Sequence, residues 1–70
     1  MLIKRSMNIE GHRTSIALEP EFWSALDTIA KARGLTLVAL IAEIDAGRAA
    51  RDEAQPLASA ARVFALQNRA

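Results

Sequence analysis

The 70-residue sequence contains no cysteine, which excludes a disulfide scaffold, a Cys-based zinc finger and a thiol redox site. Tyrosine is absent too, and His12 is the single histidine, so few side chains are suited to acid–base chemistry near neutral pH. The longest unbroken apolar stretch, Leu37 to Ala42, falls far short of the roughly 18–20 residues that span a bilayer. The chain turns charged at Lys4 and Arg5 with no apolar run behind them, unlike a secretory signal, and a cytoplasmic location is expected. Gly11, Gly34 and Gly47 are scattered and form no phosphate-cradling loop. Ser6, Ser15, Ser24 and Ser59 have no neighbouring histidine and no G-x-S-x-G context, which argues against a hydrolase. Glu43 and Asp45 stand two apart in a helical pattern and point to different faces, so they form neither a ligand pair nor an acid–base couple. No enzyme activity, cofactor, metal site or membrane partner is expected.

What is present is apolar and short. The sequence is 51% hydrophobic and 24% charged, a composition that folds rather than stays disordered. Chains of this size bury only about 60% of their unfolded surface and commonly complete their cores by oligomerising. A dimer is therefore expected. The net charge of +1 creates no global field. Lys4, Arg5 and Arg13 nevertheless make residues 1–18 basic against Glu10 alone, whereas Glu19, Glu21 and Asp27 follow without a base among them. An anionic partner would meet the N-terminal segment first.

Hydrophobic periodicity divides the chain into 1–11, an arm or strand extension; 12–50, the core; and 51–70, an accessory helix. Thr14, Ile16 and Leu18 alternate with Arg13, Ser15 and Ala17, the pattern of a half-buried strand. Met7 and Ile9 alternate on the opposite parity, and a bulge or turn at Gly11 would return all the apolar residues to one face. A helix follows, with Pro20 in its first turn, Phe22, Leu26, Ile29 and Ala30 as its stripe and Gly34 as its stop. Trp23 sits beside that stripe, at the core edge or as an anchor for a partner. Thr36 caps a second helix whose stripe is Leu37, Leu40, Ile41 and Ile44. Val38 and Ala42 widen this stripe beyond what one packing neighbour covers, so a second copy is the expected second cover. Residues 47–52 either continue this helix or form a loop. From Pro56, Leu57, Ala60, Ala61 and Phe64 share one face of a third helix.

Two runs carry a resemblance. Arg13-Thr14-Ser15-Ile16-Ala17-Leu18-Glu19-Pro20-Glu21-Phe22-Trp23 and Leu37-Val38-Ala39-Leu40-Ile41-Ala42-Glu43-Ile44-Asp45, with a further element at Ser59 through Phe64, are similar to a small bacterial family of the ribbon-helix-helix superfamily, the Arc and Met repressor type. The resemblance extends from about Lys4 to Arg69. It implies a mainly α fold of β-α-α order plus a C-terminal helix, dimerised through an intermolecular antiparallel two-stranded ribbon. It further implies a transcriptional regulator whose ribbon lies in the DNA major groove, where outward side chains meet base edges.

Mapped residue by residue, the resemblance makes Arg13, Ser15 and Ala17 the base-reading set. Arg13 would address guanine, Ser15 a donor or acceptor, and Ala17 only a thymine methyl. Lys4, Arg5, Thr36 and Leu37 become phosphate contacts, the last two through the amides at a helix N-terminus. The dimer core becomes Ile16, Leu18, Phe22, Leu26, Leu40, Ile41 and Ile44, with Ile29 and Leu35 beside them. Ala17 leaves few readers per strand, so a second reading stands next to the first. In it the chain is a dimeric protein-interaction module, antitoxin-like or an assembly protein, whose C-terminal helix docks on a partner.

Overall fold

In the computed structural model, which describes residues 1–69, Glu10 and Gly11 both take positive φ, 51° and 84°. Two left-handed residues in succession make the tight turn that matches the twist of a hairpin. They join β1 (Ile3–Ile9) to β2 (His12–Leu18) as antiparallel partners, in register from Ile9 opposite His12 to Ile3 opposite Leu18. Of the two alternatives at Gly11, the structure has the turn. The parity change between the two apolar runs is thereby absorbed, and Ile9, Ile16 and Leu18 are buried on one face. The strand partner expected from a second copy is supplied within the chain, because β1 is long enough to pair with all of β2.

Helix α1 (Pro20–Ala32) begins with Pro20, whose missing amide leaves nothing unsatisfied at a helix start. It ends in a Schellman arrangement: Leu35 N–H donates to the Ala30 carbonyl at 2.9 Å and Gly34 N–H to that of Lys31 at 3.1 Å, with Gly34 at φ 69°. Helix α2 (Leu37–Arg51) opens on Thr36, whose Oγ1 accepts from the Ala39 amide at 3.1 Å. Residues 47–51 continue this helix, and Asp52 follows as its C-cap. Helix α3 (Leu57–Gln67) completes the chain; of the expected segment 51–70, position 70 lies outside the described residues.

The wide apolar face of α2 explains how these elements stack. It packs against β1, α1 and α3 together, while α3 also touches α1 and β2. Leu40 and Ile41 are wholly buried and Ile44 nearly so, all within one chain. The hairpin and α3 thus cover part of the face for which a second copy was anticipated, while Val38 on that face remains 41% exposed. The third helix is more than an accessory, since Ala60, Ala61 and Ala65 belong to the core and their small side chains let its backbone approach closely.

One correction concerns the aromatics of α1. Phe22 was expected in the core with Trp23 at its edge; Trp23 is 2% exposed and Phe22 only partly buried. The buried stripe runs Trp23, Leu26, Ile29 and Ala30, one position on from the expected start. Trp23 turns inward because β1 gives its indole both cover and a hydrogen-bond acceptor: Nε1–H donates to the Ile3 carbonyl at 2.7 Å. A buried indole needs such an acceptor, and a Phe needs none.

Two outcomes follow. Trp23→Ala should destabilise the fold by about 3–5 kcal/mol in urea unfolding, with Phe22→Ala markedly milder. Glu10→Asn should raise stability by about 1 kcal/mol, since Asn tolerates the left-handed conformation better than Glu.

Candidate nucleic-acid interface

The pleat that buries Ile9, Ile16 and Leu18 sends the alternate residues to the opposite face of the hairpin. Cross-strand partners share a face, so the register sets Lys4 beside Ala17, Ser6 beside Ser15 and Asn8 beside Arg13. All except the half-buried Ala17 are exposed. The outer face is therefore polar and basic, with Glu10 beyond it in the turn. The Ser6 and Ser15 hydroxyls lie 2.9 Å apart and hydrogen-bond to each other, which fixes both rotamers and engages one of their two protons. Among the described residues, no side chain forms an ion pair with Lys4 or Arg13.

Most other arginines are engaged within the fold. Arg5 lies on the inner side of β1, its guanidinium 4.6 Å from the Trp23 ring centre and 3.6 Å from Asp27 Oδ1. It was expected among the phosphate contacts; strand alternation instead directs it at α1. Arg62 lies over Phe22 at 5.9 Å and donates to Glu19 Oε1 at 3.0 Å. Arg33 lies over Phe64 at 5.2 Å and donates to Asn68 Oδ1 at 2.9 Å. Each of the three aromatic rings thus carries a guanidinium that also has a polar partner. Arg48 clamps the α2–α3 connection by donating to Asp45 Oδ1, at 3.1 and 2.8 Å from Nε and Nη2, and to the Glu53 and Gln55 carbonyls.

The sequence-derived residues fall into separate groups. Lys4, Arg13, Ser15 and Ala17 share the outer ribbon face, whereas Thr36 and Leu37 begin α2, on another element. Thr36 uses its hydroxyl to cap Ala39, and Leu37 is half-buried, leaving their backbone amides as the groups to offer an anion. No acid stands in the first turn of α2 to neutralise its dipole. Ser6 and Asn8 were not identified from the sequence as belonging with Arg13. The signal was available in the opposite parity of Met7 and Ile9, but it needed the turn at Gly11 to become a placement.

A cleft of about 480 Å³ opens between the hairpin turn and the α2–α3 connection, lined by His12, Thr14, Asp45 and Arg48 among others. Among the described residues, no three of the His, Asp and Glu side chains group to hold a metal ion, and no helix is long and apolar enough to cross a membrane.

A hairpin with one polar, basic face laid over a helix–turn–helix pair defines a small ribbon-type domain. The chain belongs to the ribbon-helix-helix domain family, which it matches over residues 2–68. Comparison with curated proteins and with solved structures gave no match.

Glu19 joins the strand to α1, and its pKa is lowered by a hydrogen bond from its own backbone amide and then by the Arg62 guanidinium. A carboxyl with a depressed folded-state pKa adds stability above its unfolded value and loses it as pH falls through the folded one. Acid melting curves should therefore show wild-type Tm falling below about pH 4.3 more steeply than that of Glu19→Gln.

Proposed function

We propose that the chain is a sequence-specific duplex-DNA-binding protein, a transcriptional regulator that works as a homodimer carrying one ribbon face per copy. The observation that carries this reading is the outer hairpin face, where Lys4 and Arg13 stand exposed with no ion-pair partner among the described residues while Arg5, Arg33, Arg48 and Arg62 are engaged in the fold. Arg13 has the forked donor geometry that suits guanine O6 and N7, with Ser15 and Ala17 offering a hydroxyl and a methyl contact beside it. Lys4 supplies a phosphate contact at the ribbon's edge, and the amides of Thr36 and Leu37 a second one at the start of α2. Membership of the ribbon-helix-helix family supports the same reading.

Fluorescence anisotropy on the DNA upstream of the coding sequence and on a scrambled duplex tests it. A preference of about 10³ for the native duplex is the expected result, with a shallow salt slope because few phosphates are contacted. Arg13→Ala should weaken specific binding by about 1–3 kcal/mol and leave the far-ultraviolet circular dichroism unchanged. Equal, weak, salt-sensitive binding to both duplexes would refute the reading.

One observation favours a protein-binding role instead: Val63 and Leu66, on one side of α3, remain 42% and 54% exposed. Deleting α3 does not separate the two roles, because it removes Ala60, Ala61 and Ala65 from the core. Val63→Asp with Leu66→Asp leaves that core in place. A DNA reader keeps its affinity in this double variant, and an interaction module loses its partner.

A further inference from the structure

We propose that the face formed by the groove between α2 and α3 docks on the same face of a second copy, joining homodimers in pairs. This goes beyond the DNA-binding reading and takes from it only the homodimer.

The groove encloses about 130 Å³, with Glu43, Ile44, Gly47 and Arg51 along the α2 wall and Ala60, Phe64 and Gln67 along the α3 wall. Gly47 is the residue that needs a reason. A glycine inside a helix costs stability relative to alanine, and what it offers in return is close approach to the backbone. Packing within the fold does not call for it: among the described residues, a Cβ at position 47 would meet only Arg51 Nη1, at 3.6 Å, an ordinary contact. The approach that glycine leaves open is therefore from outside the chain.

Charge indicates what approaches. Glu43 and Arg51 stand four residues to either side of Gly47, each about 6 Å along the helix axis from it. Both are exposed, and neither has an ion-pair partner among the described residues. When a second α2 crosses the first antiparallel, with the two-fold axis at Gly47, Glu43 of each copy meets Arg51 of the other. Such reciprocity is what a two-fold contact requires of a surface. The two glycines then meet at the crossing, where missing side chains let the axes come close. The flexible Arg51 turns from above its own Gly47 to the opposing carboxylate. Apolar surface adds to the charge pairing. Val63 stands three residues after Ala60 and four before Gln67, so its side chain, 42% exposed, continues the α3 wall of the groove.

This face is separate from the one left for the homodimer. Nine residues, two and a half helical turns, separate Val38 from Gly47 and Ala42 from Arg51, which places the two pairs on opposite flanks of α2. One copy can thus hold a partner on each flank.

Sedimentation velocity over a concentration series tests the inference, with wild type, Glu43→Arg, Arg51→Glu and an equimolar mixture of the two variants. Wild type is expected to pass from two chains to four as concentration rises. Each single variant sets like charges against each other at both ends of the crossing and should weaken that step about tenfold or more, with unchanged circular dichroism. The mixture should restore it, because the arginine introduced at 43 then faces the glutamate introduced at 51, and the native pair is kept at the other end. Wild type that stops at two chains overturns the inference and leaves the homodimer standing, whereas a single chain at every concentration overturns both. A four-chain assembly that neither substitution weakens, or that the mixture fails to restore, also overturns it.

Discussion

The arrangement depends on two consecutive residues in the left-handed region. With Glu10 and Gly11 at positive φ, the chain reverses in two residues, and the apolar positions of β1 and β2, of opposite parity in sequence, fall on one face. Through β1, that face packs against α2. It also gives the Trp23 indole its acceptor at Ile3 and aligns Arg5 over the ring. A one-residue slip in this turn would direct Met7 and Ile9 to solvent and bring Asn8 toward the helices. The division between a greasy side and a polar side is therefore set by local backbone geometry.

Charge is sorted by the same device. On β1, Lys4 and Arg5 are adjacent in sequence and opposite in space: one is exposed on the outer face, the other stacked on Trp23 and paired with Asp27. Among the described residues, four arginines are held in the fold, three of them as lids over aromatic rings and one as a clamp on the α2–α3 connection. A guanidinium in such a position contributes stem packing as well as charge, so its removal exposes ring surface. The near-neutral overall balance thus conceals a specific allocation, in which the basic groups on the ribbon's outer face have no ion-pair partner among the described residues.

Much of this was legible in the sequence. Pro20 and Gly34 marked the ends of α1, Thr36 marked the start of α2, and the alternation through Thr14, Ile16 and Leu18 marked β2, because each signal is local chemistry. What was not legible depended on how elements meet. Trp23 and Phe22 are neighbours with similar apolar weight, and only the arrival of the Ile3 carbonyl decides which turns inward. The breadth of the α2 apolar face pointed to more than one cover, and Val38 on that face stays exposed. The identity of the second cover required knowing that β1 folds back, which a weak Glu-Gly turn signal did not specify. For the same reason Asn8 and Arg13, five apart in the chain, were not seen as partners.

The short connection between β1 and β2 also bears on concentration. A ribbon assembled from two molecules forms in proportion to the square of the free chain concentration and dissolves on dilution. One closed by a two-residue loop forms at a fixed ratio within each molecule, on the microsecond scale typical of hairpins, however few copies are present. The polar surface carried by this hairpin is consequently available at abundances where an assembled ribbon would have come apart.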